Sequence, residues 1–329
     1  MRKENSKYPP HHIYGPVPSR RLGFSLGVDI LPFKTCSLDC VYCQLGPTIK
    51  KTVQRQKYFS GKKVLQEIKK ALDSSQRIDA ITFSGSGEPT LNASIGKLIR
   101  EIKKITSVPI VVLTNSTLLT HKAVRESLSA ADLVVPSLDA ATQEVFDRVN
   151  RPHPSLKIHR IIEGLKKFRQ EFKGKIWLEV LLVKGITDSP SHLQKIKEAI
   201  AGINPDRVQL NTVVRPPAVA SVHPLSSNAL EKIRKFLGKK AEVIAEFDKI
   251  QHFPSSLNLQ NVILSLVKRR PVTLSDMSLS LGKHKNELIK YIDYLLKKNR
   301  IKYVIHQGKK YYEPKKEKIV QKKDKADSP

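Results

Sequence analysis

Short apolar runs alternate with amphipathic stretches between Gly27 and Val214. Six runs read as strands: Val28–Leu31, Ala80–Phe83, Ile110–Leu113, Leu133–Pro136, Ile176–Val183 and Arg207–Val213. Between them, Lys63–Leu72 places Val64, Leu65, Ile68, Ala71 and Leu72 on one helical face. Ile95, Leu98, Ile99 and Ile102 mark a second helix, and the spacing from Leu156 through Phe172 a long one. Helices are also expected over Ala140–Val149, Pro190–Ala201 and Ser226–Leu237. Six strand–helix units predict a parallel sheet covered by helices. Right-handed crossovers curl such a sheet into an open barrel. Polar residues that follow each strand then converge on one mouth, where parallel sheets place their ligands.

The pattern changes after a link near Gln251–Ser256. Helices are expected at Leu257–Lys268, Leu274–Gly282 and around Leu288, Ile289, Ile292, Leu295 and Leu296, followed by a hairpin about Gln307-Gly308. Three helices and a hairpin at this length resemble a winged helix, with its third helix and its wing available to nucleic acid. Lys283, Lys285, Lys290, Lys309 and Lys310 suit phosphate contacts there, although such modules also bind proteins. The expected organisation is a core domain over 1–250, a small domain over 255–314, and a basic tail over 315–329 too polar to fold.

Composition narrows the class. With 40% hydrophobic residues a buried core is expected and wholesale disorder is excluded. The longest apolar runs, such as Leu178–Val183, are far too short to span a bilayer. The N-terminal stretch lacks a signal-peptide core, so a cytoplasmic protein without membrane association is expected. The chain carries 59 Lys+Arg against 30 Asp+Glu, a net charge of +29. A field of that sign favours polyanions such as RNA or DNA without specifying one.

All three cysteines, Cys36, Cys40 and Cys43, lie in KTCSLDCVYCQLG. An odd number with no partner elsewhere excludes a disulfide framework. Structural zinc wants four closed ligands and this motif offers three, with His11 or His12 as the nearest histidines. Three thiolates with a vacant position suit a [4Fe–4S] cube whose fourth iron stays open.

CxxxCxxC with Tyr42 just before the third cysteine resembles the radical S-adenosylmethionine (radical SAM) superfamily. A second segment, AITFSGSGEPTLN (Ala80–Asn92), resembles that family's GGEP motif, with Ser86 between the glycines. The resemblance implies a partial (β/α)6 TIM-like barrel with the small winged-helix domain appended. It implies a [4Fe–4S] cluster on the three cysteines and SAM as cofactors. A reduced cluster would cleave SAM to methionine and a 5′-deoxyadenosyl radical. The SAM contacts it implies are Gly85, Gly87, Glu88 and Pro89 at the amino group, Asn115, Ser137 and Asp139 at the methionine and ribose, and Tyr42 near the adenine. Asn115, Ser137 and Asp139 also suit plain helix capping. An electron donor such as flavodoxin or ferredoxin is implied as a partner.

The segment GPVPSRRLGFSLGVDILP (Gly15–Pro32) resembles a subgroup of Fe–S oxidoreductases related to the tRNA wyosine-synthesis enzymes. Those enzymes carry a second cluster on three further cysteines, which this chain lacks. Arg20-Arg21 suits either phosphate or an internal ion pair, and Arg151 and Arg215 either an anionic ligand or solvent. Three functions fit: a radical SAM enzyme that modifies RNA, one that acts on a peptide or protein, and a non-catalytic Fe–S redox sensor that binds DNA.

Overall fold

The computed structural model describes residues 12–19, 21–74, 77–244, 259–281, 283 and 285–315. The Gln251–Ser256 link, Arg20, Gly282 and residues 316–329 lie outside the described residues.

The chain opens with an antiparallel hairpin of β1 (Ile13–Ser19) and β2 (Gly23–Val28), in register Ile13↔Val28 to Ser19↔Gly23 with one irregularity between Tyr14 and Val17. The cysteine loop follows and contains the short parallel pair β3 (Thr35–Cys36) and β4 (Lys50–Lys51). Next come α1 (Gly61–Leu72), β5 (Ala80–Phe83), α2 (Ile95–Lys103), β6 (Ile110–Thr114), α3 (Lys122–Leu128), β7 (Leu133–Pro136) and α4 (Gln143–Asn150). The barrel continues through α5 (Ile158–Glu171), β8 (Lys175–Leu182), α6 (Pro190–Ile203), β9 (Arg207–Thr212), α7 (Ser227–Leu237) and β10 (Ala241–Val243). The sheet order is β1-β2-β5-β6-β7-β8-β9-β10, parallel throughout except for β1 on the edge.

The expected parallel sheet is present and its strands sit close to their expected positions, with one exception. The first predicted strand, Val28–Leu31, ends at Val28. Asp29 turns the chain there: its carboxylate accepts from the Leu31 N–H at 3.3 Å and from the Ser86 N–H at 3.0 Å. The helix expected over Ala140–Val149 starts later, at Gln143, because Thr142 caps it by accepting from Val145 N. β1 and β10 escape the apolar periodicity. β1 holds Gly15, Pro16 and Pro18, which the edge position tolerates since proline lacks a ladder N–H.

Burial explains why the alternation works. β5 and β7 are buried along their whole length, as a sheet covered on both faces requires. Phe83, Phe168, Leu26, Ile81 and Ile99 are all fully buried in one core. Each such side chain contributes roughly 1.5–3 kcal/mol relative to exposure. Phe168 and Phe172 stack with ring centroids 4.8 Å apart where α5 ends.

A second, smaller core gathers Ile263, Val267, Met277, Leu288, Ile292 and Ile301. It belongs to α8 (Leu259–Arg269), β11 (Val272–Thr273), α9 (Leu274–Leu281), α10 (Lys285–Lys297), β12 (Ile301–His306) and β13 (Lys309–Pro314). The three strands form an antiparallel sheet of order β11-β13-β12. Gln307 and Gly308 make the expected β12–β13 turn, with φ of 51° and 69°; positive φ at both positions matches the twist of a two-residue hairpin. This module is docked on the barrel. Val17 of β1 packs against its core, Gln307 donates to the Val213 carbonyl at 3.2 Å, and the Tyr311 hydroxyl donates to the Val214 carbonyl at 2.7 Å. Among the described residues no helix is long and apolar enough to cross a membrane.

Candidate active site

The cysteine loop follows β2 and is pinned before any ligand arrives. Asp39 N donates to the Asn150 carbonyl at 2.9 Å and Val41 N to the Val149 carbonyl at 3.0 Å, so the loop satisfies orphan carbonyls at the end of α4. Arg151 ends that helix in a left-handed conformation, φ 44°. Its carbonyl accepts from Lys51 Nζ at 3.1 Å, and its side chain is exposed rather than on the cavity wall. Cys43 N closes a turn onto the Cys40 carbonyl at 3.0 Å, and Ser37 and Thr117 share a 2.7 Å hydroxyl bond.

Each sulfur has a nitrogen donor. Asn115 Nδ2 lies 3.4 Å from Cys36 Sγ, Asn150 Nδ2 lies 3.3 Å from Cys40 Sγ, and Lys34 Nζ lies 3.1 Å from Cys43 Sγ. Lys34 is 3% exposed, which is rare for a lysine without a bound anionic partner. Burial, then Glu88, pushes the Cys36 thiol up to about 12; burial and then Asp139 raise Cys40. These groups are thiols in the metal-free protein, and metal uptake would release their protons.

The donor set fits a cluster better than a single ion. Among the described residues no three His, Cys, Asp or Glu side chains converge on one metal-ion position. His12 packs beside α1: its backbone N–H donates to Glu67 Oε2 at 2.7 Å and its ring rests on Phe59, centroids 4.3 Å apart. His11 lies outside the described residues. Three separated thiols, each with an N–H donor to its sulfur, are what thiolate ligands of an Fe–S cube use to settle their charge.

The glycine turn after β5 is built against this loop. Lys34 N donates to the Ser86 carbonyl at 2.8 Å, and Glu88 N to the Thr35 carbonyl at 3.2 Å. A Cβ on Gly87 would overlap the Thr35 carbonyl oxygen, and one on Gly85, at φ 148°, would overlap the Asp29 carboxylate. Ser86 does not disturb the turn, because Asp29 accepts from both its N–H and its hydroxyl.

Glu88 locks the next strand end. Its Oε1 accepts from Thr90 N (3.0 Å), Thr90 Oγ1 (2.6 Å) and Thr114 Oγ1 (2.7 Å), and its Oε2 from Asn115 N (2.6 Å). Burial pushes its carboxyl pKa up, and these four bonds partly offset the shift. Pro89 opens a short buried helical turn behind the wall.

Asn115 both caps its turn, through Thr117, and donates to Ser37 Oγ at 2.9 Å. The Ser137 carbonyl accepts from Ser116 Oγ at 2.7 Å. Asp139 does not cap α4. Its Oδ1 accepts from Leu181 N at 3.0 Å, while its Oδ2 accepts from Asn150 Nδ2 at 2.8 Å and from the Tyr42 hydroxyl. Burial and then Asp139 raise the Tyr42 phenol pKa, keeping it a neutral donor.

These strand ends enclose a cavity of about 450 Å³. Cys36, Cys43, Tyr42, Gly85, Gly87, Glu88, Asn115 and Ser137 are on its wall; Cys40, Pro89 and Asp139 stand behind it. Glu179 and Asn211 extend the lining, as do Ser265, Leu266 and Arg270 from α8 and the residue after it. Arg21, also on the wall, donates to Glu179 Oε2 at 2.7 Å and Gln209 Oε1 at 3.0 Å, the internal ion pair of the two roles open to it.

The sequence motifs do not reveal Lys34, Asn150 or Glu179. Glu179 left a signal, a charge inside the apolar run of β8. Lys34 sits among other polar loop residues and left none.

The sequence model of the Radical SAM superfamily matches residues 30–196, which span both the cysteine loop and the glycine turn. The chain belongs to the radical SAM superfamily. It is a SAM-dependent Fe–S enzyme with a [4Fe–4S] cluster and SAM as cofactors. A UPF0026 protein of Methanocaldococcus jannaschii is 31% identical over 306 residues, covering 91% of this chain and 94% of that one. A Brachyspira hyodysenteriae protein named GTPase Obg is 36% identical over 310 residues, 93% of this chain; the chain spans only 45% of that protein's length. A probable dual-specificity RNA methyltransferase RlmN of Thermotoga neapolitana is 23% identical over 219 residues, covering 64% and 62%. The solved radical SAM methyltransferase of Sphaerobacter thermophilus shares the fold at TM-score 0.52 and 16% identity, covering 67% of this chain and 65% of that one.

Proposed function

We propose that Cys36, Cys40 and Cys43 ligate three irons of the cluster and that SAM lies along Gly85, Gly87, Glu88, Asn115 and Ser137. The observation that carries this is the meeting on one cavity of two donor-paired thiols, Cys36 and Cys43, and the Glu88-braced glycine turn, with donor-paired Cys40 just behind the wall. When bound, the cluster and SAM supply reductive cleavage of the sulfonium to a 5′-deoxyadenosyl radical. The chain's own residues position and enclose. Asp139 and Asn150 hold Tyr42 and Cys40 from behind, so Asp139 acts through Tyr42 rather than directly on a ribose. Lys34, Asn115 and Asn150 place donors on the sulfurs.

The substrate in this reading is RNA. The net charge of +29 and the likeness to an RNA methyltransferase support it. So does the C-terminal module, whose three helices and three-stranded antiparallel sheet we read as a winged helix. Lys285, Lys290, Lys309 and Lys310 are exposed on it. The wing in this reading also belongs to the enzyme, since its turn is fastened to the barrel through Gln307. A flavodoxin or ferredoxin would deliver the electron.

Anaerobic reconstitution with iron, sulfide, a reductant and SAM is expected to release 5′-deoxyadenosine. Uptake of stoichiometric zinc with no uptake of iron and sulfide would sink the enzyme reading. RNA affinity is expected to fall steeply between low and moderate salt. A flat salt response removes RNA and leaves a peptide or protein substrate.

Replacing Lys34 with methionine is expected to lower the cluster's reduction potential. A positive N–H donor on a ligand sulfur stabilises the reduced, more negative cluster, and its loss removes that preference. The shift should be on the order of tens of millivolts, given 59 mV per tenfold change for one electron. Redox titration followed by electron paramagnetic resonance reads it; an unchanged or raised potential contradicts the assignment.

A further inference from the structure

Three arginines line the cavity, and their surroundings differ. Arg21 is committed to Glu179 and Gln209. Arg270, just past α8, also has an interaction of its own. Arg215 follows β9, is 7% exposed, and its Nε is buried with no hydrogen-bond partner. Its guanidinium makes no ion pair among the described residues. Asp276 of α9 and Tyr311 of β13, both in the C-terminal module, are near enough to act on it electrostatically, but neither bonds to it. A buried cation with an unbonded Nε and no direct ion pair is costly, and the field of Asp276 offsets only part of that cost, so on a cavity wall it is able to take an anion from outside. The guanidinium fork matches the paired oxygens of a phosphate.

The seam itself is a built feature. Val213 and Val214, the two residues before Arg215, hold the Gln307 and Tyr311 side chains through their carbonyls. The C-terminal module therefore fixes the backbone that carries Arg215 and supplies Ser265, Leu266 and Arg270 to the same cavity.

We propose that Arg215 is the anion-binding residue of the substrate pocket, that it takes a phosphate group of a nucleotide substrate, and that the docked C-terminal module completes this subsite. The assignment deepens the RNA reading and rests on it. The phosphate would enter at the seam, with the base toward the glycine turn. Lysines exposed on the module, such as Lys309 and Lys310, give an approaching polyanion a favourable field.

The test compares uridine 5′-monophosphate with uridine, by calorimetry on the anaerobically reconstituted full-length protein. The wild type should prefer the monophosphate by about tenfold or more, the range of a charge-assisted hydrogen bond. Arg215→Gln should bring the ratio close to one, and Arg215→Lys should keep part of it because the charge remains without the fork. The ratio cancels general losses of pocket integrity, and Arg215→Lys supplies the answer if the glutamine variant does not fold. SAM affinity is measured on the same samples. An equal loss of SAM and monophosphate affinity overturns the proposal, since the anion would then be the SAM carboxylate or the role one of scaffolding. No preference in the wild type, or an unchanged preference in both variants, also overturns it. Failure of the functional reading looks different: the wild type would keep its phosphate preference yet release no 5′-deoxyadenosine under reductant and SAM.

Discussion

Changing any one of Cys36, Cys40 or Cys43 to alanine is expected to take 5′-deoxyadenosine release below detection while leaving the protein folded. The chain has three cysteines in all, so no spare thiol can replace a lost ligand. Each is only partly buried and forms no disulfide, so truncation removes little packing. The expected loss of stability is about 1 kcal/mol or less, the scale of one small side-chain atom leaving a partly exposed site. Iron content, visible absorption and the thermal midpoint of the metal-free protein separate the two effects. A variant that still assembles a full cluster and turns over SAM refutes the ligand assignment.

Gly87→Ala is expected to have the next largest effect, by a different route. Gly87 has no unusual φ; what excludes a side chain is the Thr35 carbonyl oxygen packed against its Cα. That contact lies between two backbone hydrogen bonds, Lys34 N to Ser86 O and Glu88 N to Thr35 O, that join the cysteine loop to the glycine turn. A methyl group must push the two segments apart, and overpacking of this kind costs typically 1–3 kcal/mol. Because the same displacement moves Cys36 relative to Glu88, SAM affinity should fall by at least about tenfold, the equivalent of 1.4 kcal/mol. Gly61→Ala is the control, since its Cβ would meet only Leu98 at 3.4 Å. Wild-type SAM affinity in Gly87→Ala would show that the turn does not set the pocket.

The parts of the fold that were legible in the sequence are those that hydrophobic burial controls. Ala80–Phe83 and Leu133–Pro136 are read to the residue because an all-apolar run between helices fits only a covered parallel strand. β1 was hidden since its Gly15, Pro16 and Pro18 carry no strand preference, and only pairing with β2 makes it extended. Of the candidate site, the two segments singled out by their spacing, the cysteine loop and the glycine turn, are the ones that meet at the cavity. Asp139 shows the limit. A carboxylate after a strand looks alike whether it caps a helix, meets a ligand or braces Tyr42, and only the distances to Tyr42, Asn150 and Leu181 separate these roles. Lys34 was invisible for a related reason: its burial depends on the loop folding back through Ile49 and Lys50 onto its carbonyl.

The hairpin of the C-terminal module grips the barrel from Gln307 in its turn and Tyr311 in β13, through backbone carbonyls at Val213 and Val214, next to Arg215 in the chain. A displacement of that hairpin would act on backbone only one and two residues before Arg215. Cargo capture outside and alignment within would thus be mechanically geared, with the strap between them only three residues long, Val213 to Arg215.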